Sequence, residues 1–188
     1  MRLSSPVASG DLLVGWFAEY NAPGSLQVSD PVNGAWTRAP GAQTFSGTGD
    51  IALYYVANSR ASAGGLAVTV TAPGAAYLEA AVAEYSGVAT TSPLDQVSSA
   101  NGDSAAVDTG STGPVPAGEL VYSALVTGGG PGGETPGSSQ GVPFTARSAV
   151  RSGSAYEQDI TDAAAGSQDG TATLNQSTDW YAVTATFR

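Results

Sequence analysis

An all-β fold, an antiparallel sandwich of about ten strands, is what the sequence predicts, and three observations predict it. No 3.6-residue apolar period persists over the length of a helix. Short runs rich in Val, Leu, Ile, Tyr, Trp and Thr recur along the chain, and clusters of Gly, Pro, Asn, Asp and Ser separate them, with 25 Gly and 11 Pro in 188 residues. A chain of this length buries enough surface to fold as one domain, 1–188, without disulfide or metal.

The first strand, 11–20, sets Leu12, Val14, Trp16 and Ala18 on one face and Leu13, Gly15, Phe17 and Glu19 on the other. A strand apolar on both faces until its end is central, and its second face is covered by a loop or a neighbour. Strands at 25–29 and 51–57 follow. In 66–71, Leu66, Val68 and Val70 alternate with Thr69 and Thr71, the pattern of a half-exposed strand. The stretch 76–85 is Ala-rich and helical by propensity, but Tyr77, Val82 and Tyr85 and the preceding Pro73-Gly74 turn favour a strand. The remaining strands are 119–127, 144–148, 154–160, 171–174 and 180–187.

An internal echo refines the architecture. Pro6-Val7-x-x-Gly10-Asp11-Leu12 returns as Pro114-Val115-x-x-Gly118-Glu119-Leu120, each ahead of a strong strand. In addition, 66–85 and 171–187 each give a Thr/Val strand, a polar turn and a longer strand opening on an aromatic residue. Two halves of similar strand order, about 5–97 and 113–188, are what interlocked Greek keys leave, so the sandwich is read as jelly-roll-like. The alternative is that any β chain reuses its turn chemistry. The break between halves falls at 98–116, where Ser, Gly, Asp and Pro dominate. The Gly/Pro-rich stretch 127–142 has little to bury and is expected as a long mobile loop, a candidate contact surface.

Composition excludes several functions. The chain has no Cys, His or Lys, so Ser-His-Asp and Cys-His nucleophiles, His- or thiolate-ligated zinc, Schiff bases and a phosphate-binding P-loop cannot be built within it. Six Arg face sixteen acidic residues, and the net charge of -10 argues against nucleic-acid binding. No apolar run is long enough for a signal peptide or a membrane span, so no membrane insertion is expected. Met1 reads either as a true start or as a boundary cut from a longer secreted chain. The absence of Cys is compatible with a secreted or a cytoplasmic setting.

Two motif matches fail on context. Gly128, Gly130 and Gly133 fit G-x-G-x-x-G, but Glu134-Thr135-Pro136-Gly137 cannot open the helix that holds a pyrophosphate. Gly137-Ser138-Ser139-Gln140-Gly141 fits the hydrolase elbow G-x-S-x-G, but no His exists to activate Ser139.

Carboxylates are the remaining catalytic groups. Glu79 and Glu84 are an odd interval apart and face opposite sides of a strand, whereas Glu157 and Asp159 share a face and permit the acid-base pair of a glycoside hydrolase. A polar strand face in solvent explains that pair equally well. No cofactor is expected, the alternative being one structural calcium held by Asp95, Asp103 and Asp108, or by Asp159, Asp162 and Asp169. Neither set has the spacing of a calcium loop, and Asp beside Gly and Ser also simply forms turns.

Sugar rings stack on exposed Trp and Tyr faces, and a neutral glycan needs no basic partner. Tyr20, Trp36 and Tyr77 stand at strand ends or in loops, where a binding site would lie. Trp180 and Tyr181, like Tyr54 and Tyr55, are adjacent, so one ring of each pair is expected in the core and the other outside.

Gly10-Asp11-Leu12-Leu13-Val14, Val28-Ser29-Asp30 with Trp36-Thr37-Arg38, Glu84-Tyr85-Ser86-Gly87-Val88 with Pro93-Leu94-Asp95, and the closing Asp179-Trp180-Tyr181-Ala182-Val183-Thr184-Ala185-Thr186-Phe187 resemble a group of glycine-rich jelly-roll domains. These recur in large secreted or surface proteins of high-GC bacteria and in phage tail or other virion proteins. The resemblance covers nearly the whole chain and implies a non-catalytic module for attachment or architecture. Similar domains have a further strand before the Gly-Asp-Leu-Leu segment, which here is either missing or supplied by a partner. The expected function is therefore attachment to a glycan or cell-surface polymer through Tyr20, Trp36, Tyr77, Trp180 and Tyr181, outside the cell or on its surface. The alternative is a structural protein of a virion or surface filament, bound to copies of itself or to other virion proteins. A glycoside hydrolase comes third.

Overall fold

The computed structural model describes residues 1–22, 24, 26–45, 49–128, 133–149 and 155–188. Among them there is no helix. The strands are β1 (Leu12–Tyr20), β2 (Gln27–Asp30), β3 (Gly34–Ala35), β4 (Thr37–Arg38), β5 (Gln43–Phe45), β6 (Gly49–Val56), β7 (Thr69–Thr71) and β8 (Tyr77–Tyr85). They continue with β9 (Leu94–Val115), β10 (Leu120–Thr127), β11 (Glu134–Pro136), β12 (Ser138–Ser139), β13 (Val142–Pro143), β14 (Thr145–Ala149), β15 (Ala155–Ile160) and β16 (Gly166–Phe187).

Two larger antiparallel sheets form the body. The first runs β4-β6-β1-β8, with β5 also on β6; the second runs β11-β16-β10-β15-β14, with β9 also on β16. Their facing sides share one core, in which Leu12, Val14, Trp16, Ala18, Ile51 and Leu53 meet Leu120, Tyr122, Ala124, Val126, Val183 and Phe187. Each fully buried Val, Leu, Ile or Phe side chain among them is worth about 1.5–3 kcal/mol of transfer free energy. Sandwich-like layering is thus the direct result of period-two apolar faces on β1, β6, β10 and β16.

β1 lies between β6 and β8, as its two apolar faces require. Its second face, with Leu13 and Phe17, is covered by Leu26, Val28, Trp36, Leu66 and Val68 from a small third sheet, β3-β2-β7, and its flanks. The Ala-rich 77–85 segment is a strand because it completes this sheet, nine residues paired with β1 in unbroken register. In 66–71, Leu66 and Val68 are buried and Thr69 and Thr71 exposed, but only Thr69–Thr71 forms a strand. Residues 66–68 pair instead with the N-terminus, Leu3 N–H donating to the Leu66 carbonyl at 2.9 Å and Val68 N–H to the Met1 carbonyl at 2.9 Å.

The largest departure from expectation lies at 98–116. That segment is no break but most of β9, a 22-residue strand paired along β16, which itself unites the two strands expected at 171–174 and 180–187. The ladder shifts register between Thr173 and Thr178, and the part of β16 before the shift brings Ala172 and Leu174, with Val107 of β9, against Leu125, Tyr156, Trp180 and Ala182. The ribbon therefore covers the outer face of the sheet it belongs to. Buried hydroxyls beneath it are satisfied in a chain: Thr184 Oγ1 to Ser123 Oγ at 2.9 Å, and Gly170 N–H to Thr109 Oγ1 at 2.9 Å.

Covered outer faces also correct the aromatic pairs. Tyr54 enters the outer core and Tyr55 packs on the inner one, its ring 5.6 Å from Phe187. Trp180 and Tyr181 divide in the same way. Of the Gly-rich stretch 127–142, residues 129–132 fall outside the described residues; from 134 on it forms β11 along β16 and the β12-β13 pair. Arg151 is also outside the described residues.

Candidate functional site

Three of the five aromatic candidates gather at one end of the sandwich. Tyr20 closes β1, in register with Gly49 of β6 and Tyr77 of β8. Its ring centroid is 5.0 Å from Phe45, which is 5.4 Å from Tyr181. All four rings sit on inward faces at the strand ends, so they line the opening between the two sheets. Tyr77, at 74% exposure, is the outermost. Tyr20 Oη donates to Glu79 Oε2 at 3.3 Å. On the other side Asn101, the cross-strand partner of Tyr181, donates through Nδ2 to Gln43 Oε1 at 2.9 Å, and Gln43 Nε2 donates to Ser99 Oγ at 2.9 Å. Sequence reasoning missed Phe45, Gln43 and Asn101. The Gln43-Thr44-Phe45 alternation is a weak signal for the first two, and nothing in the Ser-rich run around Asn101 singles it out.

The two tryptophan candidates do not line this opening, and Trp180, although next to Tyr181 on β16, faces the other side of its sheet. Trp36 is 6% exposed, packs edge-on against Phe17 at 6.0 Å and donates Nε1–H to Asp30 Oδ2 at 2.8 Å. Burial alone would raise the Asp30 carboxyl, but hydrogen bonds from Asn33, Trp36 and Val32 outweigh it and hold the group below its ordinary range. Trp180 is 5% exposed, donates Nε1–H to Ser104 Oγ at 3.0 Å, and lies so close to Gly102 that a Cβ there would sit 2.7 Å from its ring. Each indole is core packing with a satisfied polar handle.

The acidic candidates are not brought together. Asp95 pairs with Arg188, whose guanidinium hydrogen bond holds the carboxyl below its usual range. Asp103 stands opposite Asp179, and Asp108 Oδ1 accepts from Gly110 N–H at 2.8 Å where the β9–β16 ladder shifts register. Among the described residues no three carboxylates are grouped to hold a metal, in this set or in Asp159, Asp162 and Asp169.

Glu157 and Asp159 do share a face, but the face is the sandwich interior rather than solvent, at 5% and 1% exposure. Tyr122 Oη donates to Glu157 Oε2, and Tyr85 Oη to Asp159 Oδ2. Asp159 also takes a bidentate pair from Arg147, Nε to Oδ2 at 2.6 Å and Nη2 to Oδ1 at 2.9 Å. A register shift between Ala146 and Ser148 leaves Arg147 as the extra residue of a β-bulge, unopposed on β15 and able to reach across to Asp159. Burial, then the carboxylates, push both phenols up, so they stay protonated donors. These donors clamp β8 and β14 to β15.

Burial raises other carboxyls as well. Glu134 on β11 is pushed up to about 7 by desolvation, and Glu19, Asp50 and Glu119 move up for the same leading reason. A folded-state value above the unfolded one means that the protonated form carries stability that is full below about 4.5 and lost as pH rises through about 7. We therefore expect urea midpoints to fall between pH 5 and pH 8, with Glu134 accounting for about 1–3 kcal/mol. Glu134→Gln should flatten most of that slope; an unchanged slope would show that Glu134 titrates normally.

Comparison with protein-family models, with curated proteins and with solved structures finds no match to this chain.

Proposed function

We propose that this chain is a non-catalytic attachment module of jelly-roll type, on a secreted or cell-surface protein, that holds a neutral glycan at the Tyr20–Tyr77–Tyr181 end. The observation that carries this reading is the convergence there of an exposed tyrosine and a run of rings with amide and carboxylate side chains. Ring faces take the C–H faces of a sugar, while Gln43, Asn101 and Glu79 supply donors and acceptors for its hydroxyls. The net charge of -10 favours a neutral ligand over an anionic one. A non-catalytic role is further supported by the interior carboxylates Glu157 and Asp159, both engaged by internal donors.

The test is retention on a glycan array, with and without calcium, for the parent chain and Tyr77→Ala. The parent should bind at least one neutral glycan, and the exposed substitution should weaken it about tenfold or more, about 1.4 kcal/mol, with the unfolding midpoint unchanged. No retention in either condition, or full retention by Tyr77→Ala, overturns the reading. A structural role in a virion or filament is the second reading, favoured by exposed apolar side chains beside an open strand edge.

A further inference from the structure

Glu19, near the end of β1, is fully enclosed, and its two carboxyl oxygens fare differently. Oε2 accepts the Ala22 N–H at 3.0 Å, whereas Oε1 has no hydrogen-bond partner. An anion left so is costly out of water. The cross-strand partner of Glu19 on β6 is Asp50, also buried, so two carboxyls stand on one face of adjacent strands with Cβ atoms about 4.5–5.5 Å apart. One cation serves both, since Arg38 Nη2 donates from β4 to Asp50 Oδ2 at 3.1 Å.

The other groups around the pair, among the described residues, leave the second negative charge in place. Thr44 of β5 stands opposite Asp50, and Leu78 of β8 opposite Glu19. Tyr54, on the same face of β6, donates its Oη to the Leu26 carbonyl at 2.8 Å. The Met1 ammonium, near Leu78, is engaged by the Val68 carbonyl at 2.8 Å. Tyr20 and Glu79 lie on the other face of the sheet. Burial is the leading cause that raises the Glu19 carboxyl, and the Asp50 charge adds to it, while the N–H groups of Ala22 and Asp50 oppose the rise without cancelling it. Asp50 is itself raised by burial in spite of Arg38.

Through the Ala22 N–H, Glu19 fastens the connection from β1 to β2. Ala22 packs in turn on the connection from β7 to β8, where a Cβ added to Gly74 would lie 3.6 Å from Ala22 Cβ, and one added to Gly24 would lie 3.4 Å from Pro73 Cγ. Both connections serve the ring-bearing end, because Tyr20 follows Glu19 and Tyr77 opens β8.

We infer that Glu19 and Asp50 hold one proton between them and that its loss frees the β1–β2 connection at Ala22, so this end of the sandwich is fastened in acid and loosens as pH rises. Proton sharing removes the excess charge and gives the orphaned oxygen a role as donor. A fastened form that binds the proton more tightly than the loosened one is favoured in full below 4.5, the ordinary value of a Glu carboxyl, and loses that advantage as pH rises through its own higher value. Leu26 stays tied to Tyr54, whose phenol is also raised by burial, so the loosening stops there. The device needs no glycan and stands without that reading.

The test is amide exchange of Ala22 in the full chain, expressed as protection so that the intrinsic pH dependence of exchange is removed. Protection should fall about tenfold or more between about pH 5 and about pH 8, and should not respond to low urea, the mark of a local opening. Glu19→Gln keeps an acceptor for Ala22 and cannot ionise, so it should hold the acid level of protection throughout. Asp50→Asn should lower the pH of half-opening by about one unit, a tenfold change in proton affinity, and Arg38→Gln should raise it. Constant protection in the parent, a fall that persists in Glu19→Gln, a half-opening pH unmoved in Asp50→Asn, or exchange that requires global unfolding overturns the proposal.

Discussion

Asp159→Ala should cost about 2–3 kcal/mol, since it removes the charged acceptor of the Tyr85 phenol and the ion-pair partner of the half-exposed Arg147. Asp159 is the single acceptor on which Arg147 and Tyr85 converge. Without it, the Tyr85 phenol has lost its carboxylate acceptor, and Arg147 must turn its guanidinium to water, which its partial exposure permits. The lower figure applies if that escape is complete. For a domain of this size the change is about 8 °C in Tm. Tyr85→Phe removes one neutral donor while Arg147 still neutralises the carboxylate, and should cost nearer 1 kcal/mol. A double-mutant cycle read by urea unfolding isolates the coupling. If Asp159→Ala unfolds within 1 kcal/mol of the parent, the network is not a clamp, and its two carboxylates need another explanation.

The second large effect is Gly15→Ala. Gly15 sits in the middle of β1, opposite Val82 of β8. A Cβ there would land against the Ala81 carbonyl oxygen, 2.8 Å from Val82 Cγ2 and 3.2 Å from Val82 Cα. Two of those atoms are backbone of a paired strand, so no rotamer change relieves the contact and β8 itself must move. The expected cost is about 3 kcal/mol or more, at the upper end of overpacking penalties. Gly10→Ala is the control, since a Cβ there meets nothing within 4 Å and the penalty is confined to its φ of +95°. If Gly15→Ala unfolds at the parent's midpoint, β8 is far less firmly docked than its register implies.

What the residues make legible is the part of the fold decided by local pattern. β1 declares itself central because Leu13 and Phe17 would otherwise face water, and the Leu66–Val68 alternation likewise points inward. β9 carries no such mark. Its Ser, Gly and Asp residues are poor strand formers, and the pairing is imposed by β16, whose partner lies far along the chain. The same long reach hides the fate of the tryptophans. Nothing near Trp180 announces that Ser104 will accept its N–H, and only the ribbon brings the two together. At the candidate site, Tyr20 and Tyr77 could be nominated from strand ends alone. That they are neighbours, and that Phe45 links Tyr20 to Tyr181, depends on strand order. That Glu157 and Asp159 share a face follows from their spacing; which face is a tertiary fact, set by Ala155 entering the core between the sheets.

The β9–β16 ribbon also determines how the domain bears load. Arg188 leaves β16 at the end remote from Tyr181, beside Pro93, while Met1 lies by Leu78, close to the aromatic end. Tension between the termini runs along the strand axes, at right angles to the ladder bonds that tie β16 to both β9 and β10. Those bonds are loaded together, in shear, rather than peeled one by one.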